Sequence, residues 1–211
     1  MRSIVISDIH AKTLTAELVN LAAEKHKADN ILILGDVTNF GPMSVAVDYI
    51  SLLKRKVYAI PGNCDPRNFP QMISKVATDM HGRTATIDGI KIAGLGGSNP
   101  TIFDTPFEIS EAEIFSSLDA ICENVTILMV HAPAFGHLDK IPSGMMVGSE
   151  STKAIVDKYR PLVVLSGHVH EERGMKESNG TLFLNPGAAK EGFAALLVVE
   201  NGKATAELLM L

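Results

Sequence analysis

The sequence predicts an α/β protein whose polar site lies at one edge of a mostly parallel sheet. In the first half, short apolar runs alternate with stretches of helical periodicity, and small or polar residues follow each run at once. The end of the chain contains only strand-like runs. Alternating strands and helices favour parallel pairing, which gathers the carboxyl ends of the strands at one edge. The 211 residues, 46% of them hydrophobic, suffice for a single domain over 1–211.

The first half of the chain is predicted to alternate between strands and helices. Apolar runs at 2–7, 31–34 and 57–60 predict buried strands. The apolar residues that recur at helical spacing after the first run are Leu14, Leu18, Leu21 and Ala22. A second helix is predicted after Pro42, because proline suits the first turn of a helix.

Turn and capping signals organise the second half. The dipeptides Asp88-Gly89, Asn179-Gly180 and Asn201-Gly202 favour tight hairpin turns. Ser110 and Glu113 form the pattern of a capping box, which predicts a helix at 111–121. The other expected elements are a long loop at 94–107, strands at 125–130 and 162–165, and a helix at 151–159.

Composition excludes several classes of function. A net charge of −5 argues against a broad nucleic-acid-binding surface. No apolar run approaches the length that spans a bilayer, so no membrane association is expected. Cys64 and Cys122 are too few for a disulfide framework. We therefore expect a soluble, cytoplasmic protein with two free thiols.

Seven residues that could bind metal follow the predicted strands. They are Asp8, His10, Asp36, Asn63, His131, His168 and His170. In extended backbone, residues two apart share a face, so His168 and His170 can point into the same space. Any one of the seven has a simpler explanation as a turn residue or a solvated side chain. Their joint placement at strand ends predicts a metal site, whereas His26 and His81 are expected to be solvated.

The motifs in this set resemble those of the calcineurin-like metallophosphoesterases. The matching stretches, in order along 8–170, are Asp8-Ile9-His10, Gly35-Asp36, Gly62-Asn63, His131 and Gly167-His168-Val169-His170. Three further stretches resemble the Icc-related prokaryotic branch: Gly96-Gly97-Ser98-Asn99-Pro100, His131-Ala132-Pro133 and Asn185-Pro186-Gly187-Ala188. The resemblance implies a sandwich of two mixed β-sheets flanked by helices.

The resemblance also implies a centre of two divalent transition-metal ions. One ion takes Asp8, His10 and His170, the other takes Asn63, His131 and His168, and Asp36 bridges them. Imidazole and carboxylate ligands suit manganese, with iron, nickel, cobalt and zinc as alternatives. The implied reaction is hydrolysis of a phosphate ester by a hydroxide that bridges the ions. In it, Asp36, Asn63 and His131 are the catalytic residues.

The substrate is less well defined than the chemistry. Phosphodiesters are favoured, and a nucleotide is among the candidate substrates. Alternatives are a phosphomonoesterase acting on phosphoproteins or small metabolites, and a scaffold of the same fold without activity. The oligomeric state stays open. The scaffold alternative is disfavoured because such a protein has no reason to keep seven competent ligands.

Two positions depart from the family pattern. Cys64 stands where many relatives have a histidine that protonates the leaving group, and a thiol is a poor substitute for that acid. Diesters or esters with good leaving groups are therefore the expected substrates. Asn39 stands where relatives often have an acidic residue, so it is a candidate substrate contact or a loop-closing residue.

Two further substrate contacts are predicted from loop position. Asn99 lies in the loop 98–107, which could overhang the site, although Phe103 and Phe107 could equally anchor this loop by packing. Arg173 follows the two histidines closely and could bind a phosphate oxygen, or could instead pair with Glu171 or Glu172.

Overall fold

The computed structural model describes residues 1–211 and contains twelve strands and five α-helices. The strands are β1 (Arg2–Ile6), β2 (Asn30–Ile33), β3 (Lys56–Ala59), β4 (Thr78–Asp79), β5 (Arg83–Ile87), β6 (Ile90–Leu95), β7 (Ile127–Val130), β8 (Val163–Leu165), β9 (Gly174–Ser178), β10 (Thr181–Asn185), β11 (Phe193–Glu200) and β12 (Lys203–Met210). The helices are α1 (Thr15–Lys25), α2 (Met43–Ser51), α3 (Phe69–Ile73), α4 (Glu111–Asp119) and α5 (Glu150–Tyr159). Two short 3₁₀ turns lie at His170–Glu172 and Ala189–Glu191.

The strands form two mixed sheets of six strands each. The first has the order β12-β11-β1-β2-β3-β4 and the second the order β5-β6-β7-β8-β10-β9. In the first sheet β1 to β4 are parallel and the antiparallel strands β11 and β12 lie on one side of them, whereas in the second sheet the parallel strands β6, β7, β8 and β10 have an antiparallel strand at each edge. The sandwich of two mixed sheets flanked by helices is thus confirmed.

Side-chain alternation along the central strands builds the layers. In β1, Ile4 and Ile6 pack toward the helices α1 and α2, whereas Val5 points into the core between the two sheets. Successive strand residues face opposite sides of a sheet, so a run that is apolar at every position serves two cores at once. A third cluster, which includes Ile114 and Ile155, joins α4 and α5 to the second sheet.

Local turn and capping signals predicted their elements correctly. Each of the three Asx-Gly dipeptides joins the two strands of a hairpin, with positive φ at both residues. Ser110 caps α4 through the predicted box: its hydroxyl accepts from the Glu113 amide, while the Glu113 carboxylate accepts from the Ser110 amide. The helix α3 and the two-residue strand β4 were not predicted, because neither is long enough to show a period.

The helix α1 buries a different face from the one its leucines mark. Leu14 and Leu21 are 89% and 56% exposed, and the buried side chains are those of Thr15, Ala16, Val19 and Ala23. Two apolar stripes run side by side on this helix, and the stripe with the smaller side chains is the one that packs against the sheet. Periodicity alone therefore predicted the helix but not its packing face.

None of the helices combines the length and the apolar character needed to cross a membrane.

Candidate metal centre

The seven predicted ligands meet where the parallel strands of both sheets end. Asp8 and His10 follow β1, Asp36 follows β2 and Asn63 follows β3. From the second sheet, His131 follows β7, while His168 and His170 follow β8. Carboxyl ends of parallel strands are the usual place for a ligand site in an open sheet. Residues from the two sheets of the sandwich therefore face one another at a single edge.

Asp8, His10 and His170 form the first group of side chains. His170 Nε2 lies 3.2 Å from Asp8 Oδ1, and His10 Nε2 lies 3.9 Å from the same oxygen. The two imidazole rings meet edge to face, with centroids 5.6 Å apart. Donor atoms bound to one ion at about 2.1 Å lie roughly 3.0–3.5 Å apart, so this group is close to the spacing of a ligand set.

Asn63, His131 and His168 form the second group. Asn63 Oδ1 lies 2.9 Å from His131 Nε2 and 2.9 Å from His168 Nδ1. The rings of the two histidines are also edge to face, with centroids 5.1 Å apart. One oxygen and two imidazole nitrogens thus surround a common point.

The Asp36 carboxylate lies between the two groups. Its Oδ2 is 3.7 Å from His10 Nε2 and 3.5 Å from His131 Nε2, which belong to different groups. Its Oδ1 accepts a hydrogen bond from the Cys64 amide at 2.8 Å. The backbone thereby orients the carboxylate so that one oxygen faces a histidine of each group.

The donor atoms at this centre fit a cation. His131 Nδ1 lies 2.7 Å from the Leu34 carbonyl oxygen, which can only accept, so Nδ1 carries a hydrogen. Nε2 then faces the Asn63 and Asp36 oxygens, and it presents a lone pair to a cation once its own proton is displaced. Asp8 Oδ1 and His10 Nε2 are buried and have no hydrogen-bond partner. Converging lone pairs and unpartnered buried acceptors are unfavourable without positive charge, and a mixed imidazole and carboxylate set suits a divalent transition metal.

Charge at the site also favours cation binding. Burial opposes ionisation of Asp8 and Asp36, but the neighbouring histidines hold the pKa of each carboxyl below its usual range. Burial likewise opposes charging of His131, but the charge and hydrogen bond of the Asp36 carboxylate, together with the charge of Asp8, raise the pKa of His131 to about 9, so a cation that binds Nε2 displaces a proton from this ring. Burial lowers the pKa of His168 to about 4, which keeps this ring in the neutral form that binds metals.

The backbone around the centre is strained. Asp8, His10, Asp36 and His168 all have positive φ, between 46° and 68°. This left-handed region is uncommon for residues other than glycine, and such strain is concentrated at functional sites. It is held by bonds between strand ends, for example from the His10 amide to the Asp36 carbonyl at 2.9 Å.

Two glycines allow these loops to approach one another. A Cβ at Gly62 would lie 2.0 Å from Asp36 Oδ1, and a Cβ at Gly167 would lie 1.9 Å from Ser7 Oγ. Contacts this short cannot be accommodated, so any side chain at either position would displace a neighbouring residue. The glycines of the Gly62-Asn63 and Gly167-His168 motifs are therefore required by close packing under the ligands.

Three polar residues that sequence reasoning missed support the ligands. The buried Asp65 carboxylate accepts from the amides of Val37, Thr38 and Gly62, which ties the loop after β2 to the loop after β3. Thr105 Oγ1 accepts from Asn63 Nδ2 at 3.1 Å and donates to the Glu108 carboxylate at 2.7 Å. The Asn63 amide is thereby oriented with its oxygen toward the two histidines. No local pattern in the sequence marks Thr105 or Glu108 for this role.

The three predicted substrate contacts, Asn39, Asn99 and Arg173, lie in different surroundings. Asn99 lines a cavity together with His168, and Asn39 is exposed in the loop after β2. Arg173 makes no hydrogen bond or ion pair with any of the seven residues: its guanidinium lies over the Phe193 ring, and Nη2 donates to the Leu209 carbonyl. The 3₁₀ turn at His170–Glu172 carries residue 173 toward β11 and β12, whereas the Nε of Arg173 is buried without a hydrogen-bond partner. The phosphate contact of Arg173 stays a prediction.

The surroundings of His81 differ from the solvated position expected for it. Instead of being solvated, it is partly buried, and its Nδ1 accepts a hydrogen bond from the Gly96 amide at 3.1 Å. The ring also packs on Phe107, at a centroid distance of 5.0 Å. The turn at Gly82 folds back onto β6, which a local reading of the His81-Gly82 pair did not reveal.

Comparison with known proteins agrees with this fold. The family model described as the calcineurin-like phosphoesterase superfamily domain matches residues 1–199. An uncharacterized Methanocaldococcus jannaschii protein, MJ1162, is 29% identical over 195 residues, which is 88% of each chain. The crystal structure of TT1561 from Thermus thermophilus has a TM-score of 0.77 at 16% identity, over 98% of this chain and 97% of that one. A structure described as a novel archaeal phosphodiesterase has a TM-score of 0.60 at 16% identity, over 99% and 100% of the two chains.

These findings define the class of the protein as a metallophosphoesterase with a divalent-metal site formed by aspartate and histidine. The chain belongs to the calcineurin-like phosphoesterase superfamily. The individual assignment of the seven ligands remains a prediction.

Proposed function

We propose that this chain is a phosphodiesterase that uses two divalent metal ions. In this proposal Asp8, His10 and His170 hold one ion, while Asn63, His131 and His168 hold the other. Asp36 is shared by both. Manganese is the proposed metal, with iron, nickel, cobalt and zinc as alternatives. The proposed substrate is a phosphodiester, with nucleotides among the candidates.

The observation that carries this proposal is the position of the Asp36 carboxylate. One of its oxygens lies within 3.7 Å of a histidine nitrogen from each group. A carboxylate between two sets of lone pairs is the arrangement that two adjacent cations require. A site for one ion would use only one of the two groups as ligands. Either the pair Asp8 and His170 or the pair Asn63 and His168 would then bind no metal.

The protein residues orient the reacting groups. When bound, a pair of divalent ions supplies an acidified water and positive charge for the phosphoryl oxygens. His131 keeps its proton on Nδ1, bonded to the Leu34 carbonyl, and presents Nε2 to the centre. Thr105 accepts a hydrogen bond from the Asn63 amide nitrogen, which leaves the Asn63 oxygen facing the centre. Asp36, Asn63 and His131 are therefore the residues to which we assign catalytic roles.

Cys64 supports a preference for diesters. Burial, together with the nearby Asp36 carboxylate, raises the pKa of the Cys64 thiol far above its usual range. Such a thiol stays protonated and is a weak proton donor to a departing alkoxide. Hydrolysis then favours esters whose leaving group departs without an acid, or diesters positioned by other donors. We assign such positioning to Asn39, and a contact with another part of the substrate to Asn99.

The proposal includes a cytoplasmic location, because Cys64 and Cys122 are both free thiols, as is usual in a reducing compartment.

The test compares two esters with the same leaving group. Protein loaded with Mn²⁺ is assayed on bis(4-nitrophenyl) phosphate and on 4-nitrophenyl phosphate, with metal content measured in the same samples. We expect the diester to be hydrolysed faster, and Asp36→Asn to lower the rate by about a hundredfold or more. His26→Ala, remote from the centre, serves as the matched control.

Three outcomes contradict the proposal in different ways. Faster hydrolysis of the monoester indicates a phosphomonoesterase. Full metal occupancy without hydrolysis of either ester rejects the enzymatic function. Failure to bind Mn²⁺ or Zn²⁺ at all favours a scaffold.

A further inference from the structure

A large cavity adjoins the candidate metal centre. It has a volume of about 710 Å³ and lies between the segments 99–103 and 141–148. His168, one of the predicted ligands, forms part of its lining. The volume is in the range of sites that bind small organic molecules. Anything bound at the centre can therefore extend one of its substituents into this space.

The walls of the cavity are apolar and exposed. Ile102, Phe103 and Met145 line it and are 93%, 76% and 63% exposed, respectively. Phe107 anchors the loop by packing, because its ring is buried. Phe103 does not anchor the loop, because its ring is exposed. Large apolar side chains gathered around one concave surface mark a binding site, and methionine adapts its shape to a ligand.

The charge of the lining restricts what can bind. No lysine or arginine lines the cavity, and the single formally charged residue there is Glu171. A second phosphate or another anion would find no lysine or arginine to pair with in this lining. A neutral group is favoured, and a group that donates hydrogen bonds is favoured over one that only accepts them.

Asn99 provides the polar contact. Its Nδ2 donates to the Val147 carbonyl at 3.3 Å, which connects the two walls of the cavity. Its Oδ1 is buried and has no hydrogen-bond partner. The amide nitrogen is already bonded, so the oxygen is the atom left to accept. It has almost no exposed surface, so a ligand in the cavity reaches it only when the Asn99 side chain turns toward the cavity.

The loop that carries Asn99 and Phe103 is preformed. The Glu108 carboxylate accepts from both the amide and the hydroxyl of Thr101 and of Thr105. Thr101 Oγ1 in turn accepts from the Phe103 amide at 3.0 Å. The same Thr105 hydroxyl holds Asn63, so the cavity wall and the metal centre are positioned by one network.

We propose, building on the phosphodiesterase function proposed above, that this cavity binds the organic substituent of the substrate. This substituent is a neutral group with an apolar body and an N–H or O–H donor for Asn99 Oδ1. A bare sugar or a second phosphate does not fit these walls. Phe103 and Met145 determine the preference for an apolar ring in the substituent. Asn99 determines the preference for a substituent that carries a hydrogen-bond donor.

The test measures binding of phosphonates, which are not hydrolysed. Protein loaded with Mn²⁺ is titrated by calorimetry with methylphosphonate, phenylphosphonate and the 3- and 4-aminophenyl derivatives. We expect phenylphosphonate to bind about tenfold or more tightly than methylphosphonate, and at least one amino derivative to bind more tightly still. Phe103→Ala should remove most of the preference for phenyl, whereas Leu14→Ala, a change to an exposed apolar side chain outside the cavity, should not.

Asn99→Leu isolates the polar contact. This variant should keep the preference for phenyl over methyl and lose the added affinity for the amino derivatives. Equal binding of methyl and phenyl phosphonates by the wild type overturns the proposal for the cavity. Diester hydrolysis, measured on the same samples, then decides separately whether the phosphodiesterase function stands. The proposal for the cavity is also overturned if both Phe103→Ala and Met145→Ala keep the wild-type preference for phenylphosphonate over methylphosphonate.

Discussion

The hydroxyl of Thr105 lies 3.1 Å from Asn63 Nδ2 and determines which end of this amide faces the histidines. With the nitrogen occupied, Asn63 Oδ1 is directed to His131 Nε2 and His168 Nδ1, each 2.9 Å away. Partners outside the ligand shell that orient a ligand contribute substantially to metal affinity. Thr105 is therefore a positioning residue for one half of the centre.

Thr105→Val should weaken metal binding without removing a ligand. The valine has a similar shape but cannot accept from Asn63, so we expect metal affinity to fall by about 10- to 100-fold. The measurement is a competition titration with a chromophoric chelator. Thr101→Val is the matched control, because Thr101 also donates to Glu108 but does not contact Asn63. Equal affinities in the two variants would contradict the positioning role.

Replacing His168 and His170 should affect different ions. His168→Ala should lose the ion shared with Asn63 and His131, and His170→Ala should lose the ion shared with Asp8 and His10. Each variant should therefore retain about one of two ions when metal content is measured after gel filtration, with the retained sites distinguishable by electron paramagnetic resonance of Mn²⁺. Identical losses in both variants would point to a single site.

Cys64→His should restore a proton donor to the leaving group. General acids typically contribute about 10²- to 10⁴-fold to rate, and they contribute most when the leaving group is a strong base. We expect the largest gain on esters with poor leaving groups, measured as a shallower dependence of turnover on leaving-group pKa. Cys64→Ser controls for the loss of the thiol. A uniform gain across all leaving groups would reject the missing-acid explanation.

Glu108 should stabilise the protein in a pH-dependent way. Burial opposes its ionisation, but hydrogen bonds from Thr101 and Thr105 lower its pKa from 4.5 to about 2. Because the pKa is lower in the folded state, the stabilisation is complete above about pH 4.5 and is lost as the pH falls toward 2. Glu108→Gln should therefore unfold at lower urea concentration than the wild type at about pH 7, with a difference that shrinks by about pH 3.

Glu200→Gln serves as the control for this measurement, because Glu200 is exposed at the end of β11. It should unfold as the wild type does at each pH. A difference between Glu108→Gln and the wild type that stays constant with pH would contradict the assigned role of the carboxylate.

Sequence patterns predicted much of the fold because they act locally. Runs such as Ile31 to Leu34 are apolar at every position because both faces of the strand are buried, one under helices and one between sheets. Asx-Gly pairs form hairpins through their own backbone preference for positive φ. The ligands Asp8, Asp36 and Asn63 were found because each closely follows such a run.

Other features depended on contacts between distant residues. Periodicity did not reveal the packing face of α1, because the helix has two apolar stripes and only packing against the sheet selects the one with Ala16 and Val19. Arg173 lies close to His170 in sequence, yet its side chain contacts Phe193 and Leu209. Its position along the chain did not reveal the direction of the side chain.

The sequence by itself determined which residues stand at the ends of the strands, and hence the identity of the candidate ligands and the family. The tertiary structure decided how they are grouped, which atoms they present, and what surrounds them. Asn63 and His168 are 105 residues apart, and His131 and Leu34 are 97 apart, yet each pair is in direct contact. The tautomer of His131, the orientation of Asn63 and the cavity beside His168 arise only when the two sheets bring their strand ends together, because hydrogen bonds depend on positions in space rather than along the chain.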